Sequence, residues 1–368
     1  MKFVCETSTL STACQNVQRA VSAKSTIPGT EGILIKALNS ELNLTGYDLE
    51  IGINTTIYAK VEEAGSIVLN AKVLCEILRR IPNQTVTIDC DERNFATIRS
   101  GDIKYEIMGI SADDYPELPT VQGNFTIDIN RKMLSEMVKQ TIFAVAVTDA
   151  KVVYTGIKFE ISEGEIKLIA VDGFRMAIRT EKIDYHGEDI TFIVPAKTMS
   201  EIFKLSVEDS EEEEGIVSIG LGGRHIIFEV NGYSIISRLL EGEFLNYRST
   251  IPQSVSTTVE VDTRSLIDSI ERTSLIITDR SSPVRLVVED GTMKFSSVTA
   301  IGTATDKMLA DIEGIKVEVG FNNRFLIDAL KATEQEEIRM EFGSSNQPII
   351  IKPFEGDSFF YLVLPVRI

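Results

Sequence analysis

One twelve-residue segment occurs three times in this chain, and its spacing divides the sequence into three parts. It reads NAKVLCEILRRI at residues 70–81, PAKTMSEIFKLS at 195–206 and NNRFLIDALKAT at 322–333, with offsets of 125 and 127 residues. Each copy has a basic residue third, an acidic residue seventh and a second basic residue tenth. Apolar residues at positions five, eight and nine form one helical stripe opposite the charges. The segment therefore predicts an amphipathic helix used three times in a tandem triplication.

The rest of each repeat predicts a second helix and several short strands. A strand-like run precedes helical patterns at residues 8–21, 130–143 and 262–275, with Ser8, Asn130 and Asp262 as candidate N-caps. Alternating apolar runs, among them residues 52–61 and 302–312, are separated by turn residues such as Asp290-Gly291 and predict antiparallel hairpins. We therefore expect an α+β fold of three domains, each with two helices on largely antiparallel sheets, at residues 1–122, 123–252 and 253–368.

Composition narrows the class of protein. The chain is 43% hydrophobic and 25% charged, which is typical of a globular protein, and we expect no membrane span and no signal segment. The four cysteines show no metal-binding spacing and are predicted to be buried, reduced thiols. The acidic run at 208–215 is interpreted as a solvated loop, with a metal-binding cluster as the lesser alternative. The glycine-rich segment at 220–224 lacks the remainder of a phosphate loop and is predicted to be a hairpin turn.

Charge is distributed unevenly. The chain has a net charge of −18, whereas the six helical windows hold 13 basic and 7 acidic residues, so they carry +6 and the remainder −24. Pairing of opposite charges on solvated helices is one explanation. The other is that the helices present one face to a common polyanion while the acidic sheets face away. On this second hypothesis the DNA-facing helix residues are Lys72, Arg79, Arg80, Lys197, Lys204, Arg324 and Lys331.

Packing geometry limits how such helices could surround DNA. Helices pack about 10 Å apart, so six in a closed ring leave a hole of only about 10 Å. Twelve helices leave roughly 30 Å, which admits a duplex roughly 20 Å wide. One chain is therefore too small to encircle a duplex, but a closed two-fold dimer is large enough. Its contacts would be to phosphates and independent of base sequence.

Several motifs together resemble one protein family. They are AVDGFRMA at residues 170–177, YLVLPVRI at 361–368, the initial MKF, the PELP linker at 116–119 and the threefold repeat. The chain is similar to the bacterial DNA sliding clamps, the beta subunits of the replicative DNA polymerase III holoenzyme, from residue 1 to residue 368. The resemblance implies a head-to-tail homodimer that forms a ring, with helices lining the hole and sheets forming the outer wall.

The resemblance also implies partners and a location. Such a ring encircles duplex DNA without sequence preference and tethers the replicative polymerase. An ATP-dependent clamp loader opens and closes it, and repair proteins with clamp-binding peptides share its binding pocket. We expect a cytoplasmic, nucleoid-associated protein with no cofactor, no bound metal and no catalytic residues.

Site residues follow from the matched motifs. The implied peptide pocket lies between repeats two and three and comprises Tyr154, Val171, Gly173, Phe174, Arg175, Met176, Leu245, Ser249, Thr250, Leu362, Val363, Leu364, Pro365, Val366, Arg367 and Ile368. The resemblance adds Lys24, Thr148 and Lys151 to the DNA-facing residues. The implied dimer interface includes Tyr105, Ile107, Leu275 and Ile276. Without the resemblance, residues 362–368 could equally be a final edge strand.

Two other classes of function remain to be weighed. An enzyme would need a nucleophile with a base or a metal triad, and the sequence shows neither spacing. Its two histidines, His186 and His225, are both expected at the surface beside turns. A repeat scaffold with no DNA role is the second alternative, and retention on circular DNA would distinguish it from a clamp.

Overall fold

The computed structural model describes residues 1–121, 123, 125–207, 215–278 and 282–368. Residues 208–214 of the predicted acidic loop, and residues 279–281, lie outside the described residues. Within the described ranges there are six α-helices, which are α1 (Thr7–Gln18), α2 (Ala71–Arg80), α3 (Arg131–Lys139), α4 (Ala196–Val207), α5 (Thr263–Ser274) and α6 (Asn323–Thr333). Each overlaps a predicted helical window, so two helices per repeat are confirmed.

Strands occupy the remainder of each repeat. Repeat one contains β1 (Lys2–Glu6), β2 (Gly32–Leu38), β3 (Glu41–Tyr47), β4 (Ile51–Tyr58), β5 (Lys60–Glu63), β6 (Gly65–Asn70), β7 (Thr85–Cys90), β8 (Phe95–Ser100) and β9 (Ile103–Met108). Repeat two contains β10 (Phe125–Asn130), β11 (Gly156–Ser162), β12 (Glu165–Val171), β13 (Arg175–Lys182), β14 (Ile190–Pro195), β15 (Ile216–Gly222), β16 (His225–Val230) and β17 (Tyr233–Arg238). Repeat three contains β18 (Thr257–Asp262), β19 (Val284–Glu289), β20 (Thr292–Thr299), β21 (Gly302–Leu309), β22 (Asp311–Gly314), β23 (Val317–Phe321), β24 (Glu337–Phe342), β25 (Ile349–Pro353) and β26 (Phe359–Val363).

The chain separates into two compact units whose limits differ from those of the repeats. Unit 1 comprises residues 1–134 and 201–239, and unit 2 comprises residues 135–200 and 240–368. Unit 1 holds a five-stranded sheet, β5-β1-β7-β8-β9, and an eight-stranded sheet, β10-β15-β16-β17-β4-β3-β2-β6. Unit 2 holds a nine-stranded sheet, β14-β11-β12-β13-β26-β25-β24-β18-β22, and a four-stranded sheet, β21-β20-β19-β23. Strands of repeat two thus pair with repeat one in unit 1 and with repeat three in unit 2.

The stripe of the repeated helix packs as its periodicity predicts. The buried side chains include Leu74, Ile77 and Leu78 of α2, Met199 and Ile202 of α4, and Leu326, Ala329 and Leu330 of α6. All four cysteines are buried and unpaired. Each fully buried Leu, Ile or Met side chain among them stabilises the fold by about 1.5–3 kcal/mol. The stripe therefore anchors each helix and leaves its basic residues exposed.

Four local predictions need correction. Ser8 does not cap α1, because the cap residue is Glu6, whose carboxylate accepts hydrogen bonds from the Ser8 and Thr9 hydroxyls at 2.9 Å. The alternating runs at 52–61 and 302–312 each split into two strands that join different sheets, since pairing partners change at Ala59 and Ala310. The predicted helix at 130–143 ends at Lys139 and continues as a short 3-10 turn.

Other local predictions hold. Asn130 Oδ1 accepts the Met133 N–H at 3.0 Å, and Asp262 Oδ1 accepts the Ser265 N–H at 2.7 Å, so both cap their helices. The glycine-rich segment forms the β15–β16 hairpin, with Gly223 at φ +58° in the turn. Such a backbone angle favours glycine because it carries no Cβ.

Candidate functional site

A tight turn between β12 and β13 presents the first of the predicted pocket residues. The Asp172 carboxylate accepts the N–H groups of Phe174 and Arg175, both at 3.0 Å, and Gly173 adopts φ +85° between them. Side-chain acceptance of this kind fixes a turn that would otherwise be mobile. Phe174 is left 60% exposed at the surface of unit 2. The local sequence Asp-Gly-Phe-Arg thus holds an aromatic ring in solvent.

Arg175 joins this turn to α6 of the third repeat. Its Nε donates to Asp172 Oδ2 at 2.9 Å, and its Nη1 donates to Asp328 Oδ2 at 2.6 Å. The guanidinium carbon lies 4.7 Å from the ring centroid of Phe325 and 5.5 Å from that of Phe143. The side chain is only 11% exposed. Its charge is therefore held by two carboxylates and two aromatic faces, an arrangement suited to the planar guanidinium.

The final strand lies beside this turn. β26 pairs with β13 on one side and β25 on the other, so it is an interior strand and not the edge strand that was the alternative interpretation. Beyond it, the Leu364 N–H donates to Phe174 O at 2.8 Å and the Val366 N–H donates to Gly320 O at 2.8 Å. Leu364, Arg367 and Ile368 are exposed. The terminal residues are thus tied to both the turn and β23 by backbone hydrogen bonds.

An apolar cluster forms on one side of the nine-stranded sheet. It contains four predicted residues, Tyr154, Val171, Met176 and Leu362. It also contains Ile169, Ile178, Phe244, Tyr247, Ile251 and Phe360, which the sequence prediction missed. Strand periodicity could have found three of these, because residues two apart share one face of a sheet. By the same rule the predicted pocket residue Val363 faces away from the cluster, and it is fully buried.

A polar network supports the edge of this cluster. The Tyr247 hydroxyl donates to Glu160 Oε2 at 2.8 Å, and Lys158 and Arg248 pair with the same carboxylate at 2.7 and 2.9 Å. Burial raises the pKa of Glu160, but the hydrogen bonds from Lys158 and Tyr247 outweigh that effect, so the pKa lies below its ordinary value. Burial and the bond to Glu160 raise the pKa of Tyr247 to about 12. Both groups therefore keep their ordinary charge at neutral pH.

Three predicted residues lie in or near the adjacent 3-10 turn, Tyr247–Thr250. The Ser249 hydroxyl donates to Asn246 O and the Thr250 hydroxyl to Tyr247 O, each at 2.7 Å. Leu245 is exposed, and Tyr154 packs edge-on against the neighbouring Phe244 at 5.7 Å between ring centroids. The two hydroxyls thus stabilise the turn, while the aromatic residues face the cluster.

A cavity of about 520 Å³ opens beside the exposed ring of Phe174. Phe174 stacks on Phe325 with 5.8 Å between centroids. The lining residues are Phe174, Ser282, Pro283, Asn322, Arg324, Phe325 and Val366. Two of them were predicted for the pocket, and Arg324 was predicted to face DNA. Of the other four, Asn322 and Phe325 belong to the repeated helical segment and Ser282 and Pro283 to no motif. Nothing in the sequence pointed to these four as pocket residues, because segments distant in the sequence bring them together.

The predicted DNA-facing residues are exposed in the unit to which each belongs. Unit 1 contains Lys24, Lys72, Arg79, Arg80 and Lys204. Unit 2 contains Thr148, Lys151, Lys197, Arg324 and Lys331. Many are already paired, since Glu76 binds Arg79 and Arg80, and Lys331 lies 2.9 Å from Glu271. Arg131, counted above among the helix bases, is only 5% exposed and hydrogen-bonds to Asn231. Glu201 is likewise buried, against the prediction of an outward charge.

Among the edge strands of the described sheets, two carry or lie near the residues predicted for the dimer interface. β9 ends the five-stranded sheet of unit 1 and carries Tyr105 and Ile107, and β21 ends the four-stranded sheet of unit 2. Leu275, just after α5, is 81% exposed, and Met108 and Leu309 at the ends of the two strands are exposed as well. Apolar edge strands of this kind are templates for pairing with another chain.

Features of other protein classes do not appear in the described part of the chain. No group of three or more His, Cys, Asp or Glu side chains there could hold a metal ion. None of the helices described is long and apolar enough to cross a membrane. His186 is exposed and pairs only with neighbouring carboxylates, while His225 sits at the β15–β16 hairpin. The fold thus defines a protein of three tandem α+β domains, each with two helices on antiparallel sheets.

Comparison with known proteins assigns the family. Three family models match the chain. The model of the DNA polymerase III beta subunit N-terminal domain matches residues 1–119, that of the central domain 128–246 and that of the C-terminal domain 248–367. The Beta sliding clamp of Bacillus subtilis (strain 168) is 32% identical, over 100% of both chains. The chain belongs to the DNA polymerase III beta subunit family, the bacterial sliding clamps. It is a processivity factor of DNA replication and not an enzyme.

Solved structures agree with this assignment. A putative DNA polymerase III beta subunit from Eubacterium rectale has a TM-score of 0.94 at 33% identity, and the comparison covers 100% of both chains. A sliding clamp from Pseudomonas aeruginosa, solved bound to griselimycin, has a TM-score of 0.94 at 25% identity with the same coverage. The three-domain clamp architecture predicted from the sequence is thereby confirmed.

Proposed function

We propose that the apolar cluster and the cavity beside Phe174 form one binding surface for short peptides of partner proteins. This proposal rests on the position of the cavity, which is lined by the exposed Phe174, by the half-buried Phe325 stacked on it and by Val366 near the end of the chain. A groove with apolar walls and few polar groups suits a peptide with Leu or Phe side chains. Ordering such a peptide costs free energy, which keeps its affinity modest and allows partners to exchange.

The partners that fit this surface are proteins acting on replicating DNA. We infer that the replicative polymerase, an ATP-dependent clamp loader and repair proteins with clamp-binding peptides compete for it. The proposed residues are those predicted from the sequence, with Val363 removed and with Asn322, Phe325, Phe244 and Tyr247 added. We further propose that the protein works in the cytoplasm, where it associates with the nucleoid.

We also propose that two copies join head to tail, β9 of one against β21 of the other, and close into a ring. The exposed Leu275 and the half-buried Ile276 would then be covered by the partner copy together with Tyr105 and Ile107. Main-chain hydrogen bonds between the edges would satisfy both strands. Three domains per copy, at residues 1–122, 123–252 and 253–368, would give six domains and twelve helices around the hole.

The ring would hold duplex DNA without gripping it. Its lining would present Lys72, Arg79, Lys197 and Lys204 beside acidic residues on the same helices, so its net positive charge is small. Contacts to phosphates weaken steeply with salt and carry no base specificity. Mild attraction of this kind favours sliding along the duplex.

Retention on circular DNA tests encirclement. The protein is loaded onto nicked circular DNA with a clamp loader and ATP, and the retained fraction is measured by gel filtration before and after the circle is linearised. We expect retention on the circle and loss after linearisation, because a ring slides off a free end. Equal retention on both forms would exclude encirclement and favour ordinary binding to DNA or a scaffold without a DNA role.

A further inference from the structure

The cavity beside Phe174 contains a single charged side chain among the described residues that line it. Phe174, Pro283, Phe325 and Val366 provide apolar walls, and the charge belongs to Arg324 near the start of α6. Arg324 is exposed, and its backbone N–H donates to Asn322 Oδ1 at 3.0 Å. The guanidinium thus stands at the mouth of an otherwise uncharged cavity.

Arg324 lacks the acidic partner that its spacing would ordinarily supply. In α5 the residues Arg264 and Asp268, four apart, form an ion pair at 3.1 Å. In α6 the residues Arg324 and Asp328 have the same spacing, but the Asp328 carboxylate accepts from Arg175 at 2.6 Å. Among the described residues Arg324 forms no ion pair. Arg175 therefore takes the carboxylate and leaves a cation available at the cavity.

We propose that Arg324 binds an acidic side chain of the docked peptide, adjacent to the apolar residue that enters the cavity. This proposal rests on the proposed function of the cavity as a peptide-binding surface. A guanidinium donates two parallel hydrogen bonds to a carboxylate, which adds specificity as well as affinity. The apolar wall beside it takes the neighbouring side chain. Arg324 is thereby assigned to partner selection, in place of the DNA-facing role predicted from its helix.

Matched peptides provide the test. Fluorescein-labelled, C-terminally amidated peptides with a central Leu-Phe pair carry either Asp or Asn at each neighbouring position in turn. Their affinities for the full-length protein are measured by fluorescence anisotropy at low and high salt. For at least one position we expect the Asp peptide to bind about 3-fold more tightly than the Asn peptide, since an exposed ion pair contributes modestly. The preference should shrink at high salt.

Substitutions separate Arg324 from the remaining positive charge. In Arg324→Gln the preference for Asp should vanish while the affinity for the Asn peptide stays unchanged, and in Arg324→Glu a Lys peptide should be preferred. Lys331→Gln, on the same helix and paired with Glu271, is the matched control and should keep the preference for Asp.

Each alternative outcome is decisive. If the wild type binds Asp and Asn peptides equally at every position, or Arg324→Gln keeps the preference, the role of Arg324 is refuted and the pocket stands. If a preference appears only with peptides that have a free C-terminus, Arg324 binds the terminal carboxylate and the side-chain proposal is refuted. If no peptide binds, the proposed peptide-binding surface itself fails.

Discussion

Replacing Arg175 with Met should destabilise unit 2 far more than its position in a surface turn suggests. The substitution keeps an apolar side chain of similar length but removes the charge. Asp172 and Asp328 then lose hydrogen bonds of 2.9 and 2.6 Å, and two aromatic rings lose a stacked cation. The free energy of unfolding should therefore fall, mainly because the Asp172 carboxylate stays largely buried without a counter-charge.

The magnitude follows from burial. Removing one partner of a buried ion pair costs about 3–5 kcal/mol. In Arg175→Met the Asp172 carboxylate keeps two backbone N–H donors, so we expect a loss at the lower end of this range, about 3 kcal/mol. Asp328 has a side chain that is 46% exposed, so Asp328→Asn should cost no more than about 1 kcal/mol. The asymmetry between the two ends of one ion pair is the specific prediction.

Urea unfolding of both variants and the wild type measures these differences. The signals should include near-ultraviolet circular dichroism, which reports on the packing of all 17 Phe and 9 Tyr rings, Phe143 and Phe325 among them. Because the chain has two compact units, each resolved transition is fitted separately. A loss below about 0.5 kcal/mol for Arg175→Met, or a larger loss for Asp328→Asn than for Arg175→Met, would refute the reasoning.

Three further outcomes are expected. Deleting residues 364–368 should abolish polymerase binding in a pull-down assay. The same variant should still sediment as a dimer in analytical ultracentrifugation, because the proposed dimer edges lie elsewhere, and a monomer would contradict this. Leu275→Asp should produce monomers by the same method, whereas Leu38→Asp, also exposed but away from both edges, should not. The lowered pKa of Glu160 means that its ion pairs stabilise the fold fully above about pH 4.5 and less as the pH falls through the folded pKa. Glu160→Gln should therefore lose less stability than the wild type on acidification, as urea midpoints would show, and equal losses would argue against this role.

Much of the fold could be predicted because its signals are local. The stripe of NAKVLCEILRRI and its two copies is periodic within one helix, and burial of Leu74, Leu326 and their neighbours follows directly from it. Hairpin turns such as Asp290-Gly291 are equally local. The prediction failed where one alternating run forms two strands that pair in different sheets, as on either side of Ala59. The alternation of apolar and polar residues continues through that point, so the sequence does not mark the boundary.

The candidate site was only partly predictable. Motif matches placed Phe174, Met176 and Leu362, which the structure brings to one side of unit 2. They missed Asn322 and Phe325, because no local pattern distinguishes a pocket wall from a helix start. The charge count also misplaced Arg131, which is buried, since counting charges does not reveal which way a side chain points.

The sequence by itself therefore determined the triplication, the helices and their apolar stripes, because these depend on residues a few positions apart. Tertiary structure alone decided that Arg175 reaches Asp328, 153 residues away, and so leaves Arg324 unpaired within the described residues. That choice depends on β13 and β26 pairing beside α6, which no periodicity encodes. The first repeat's Arg79 binds the acid of its own helix, whereas in the third that acid is taken by a distant residue. One repeated helix thus acquires different surfaces through its neighbours.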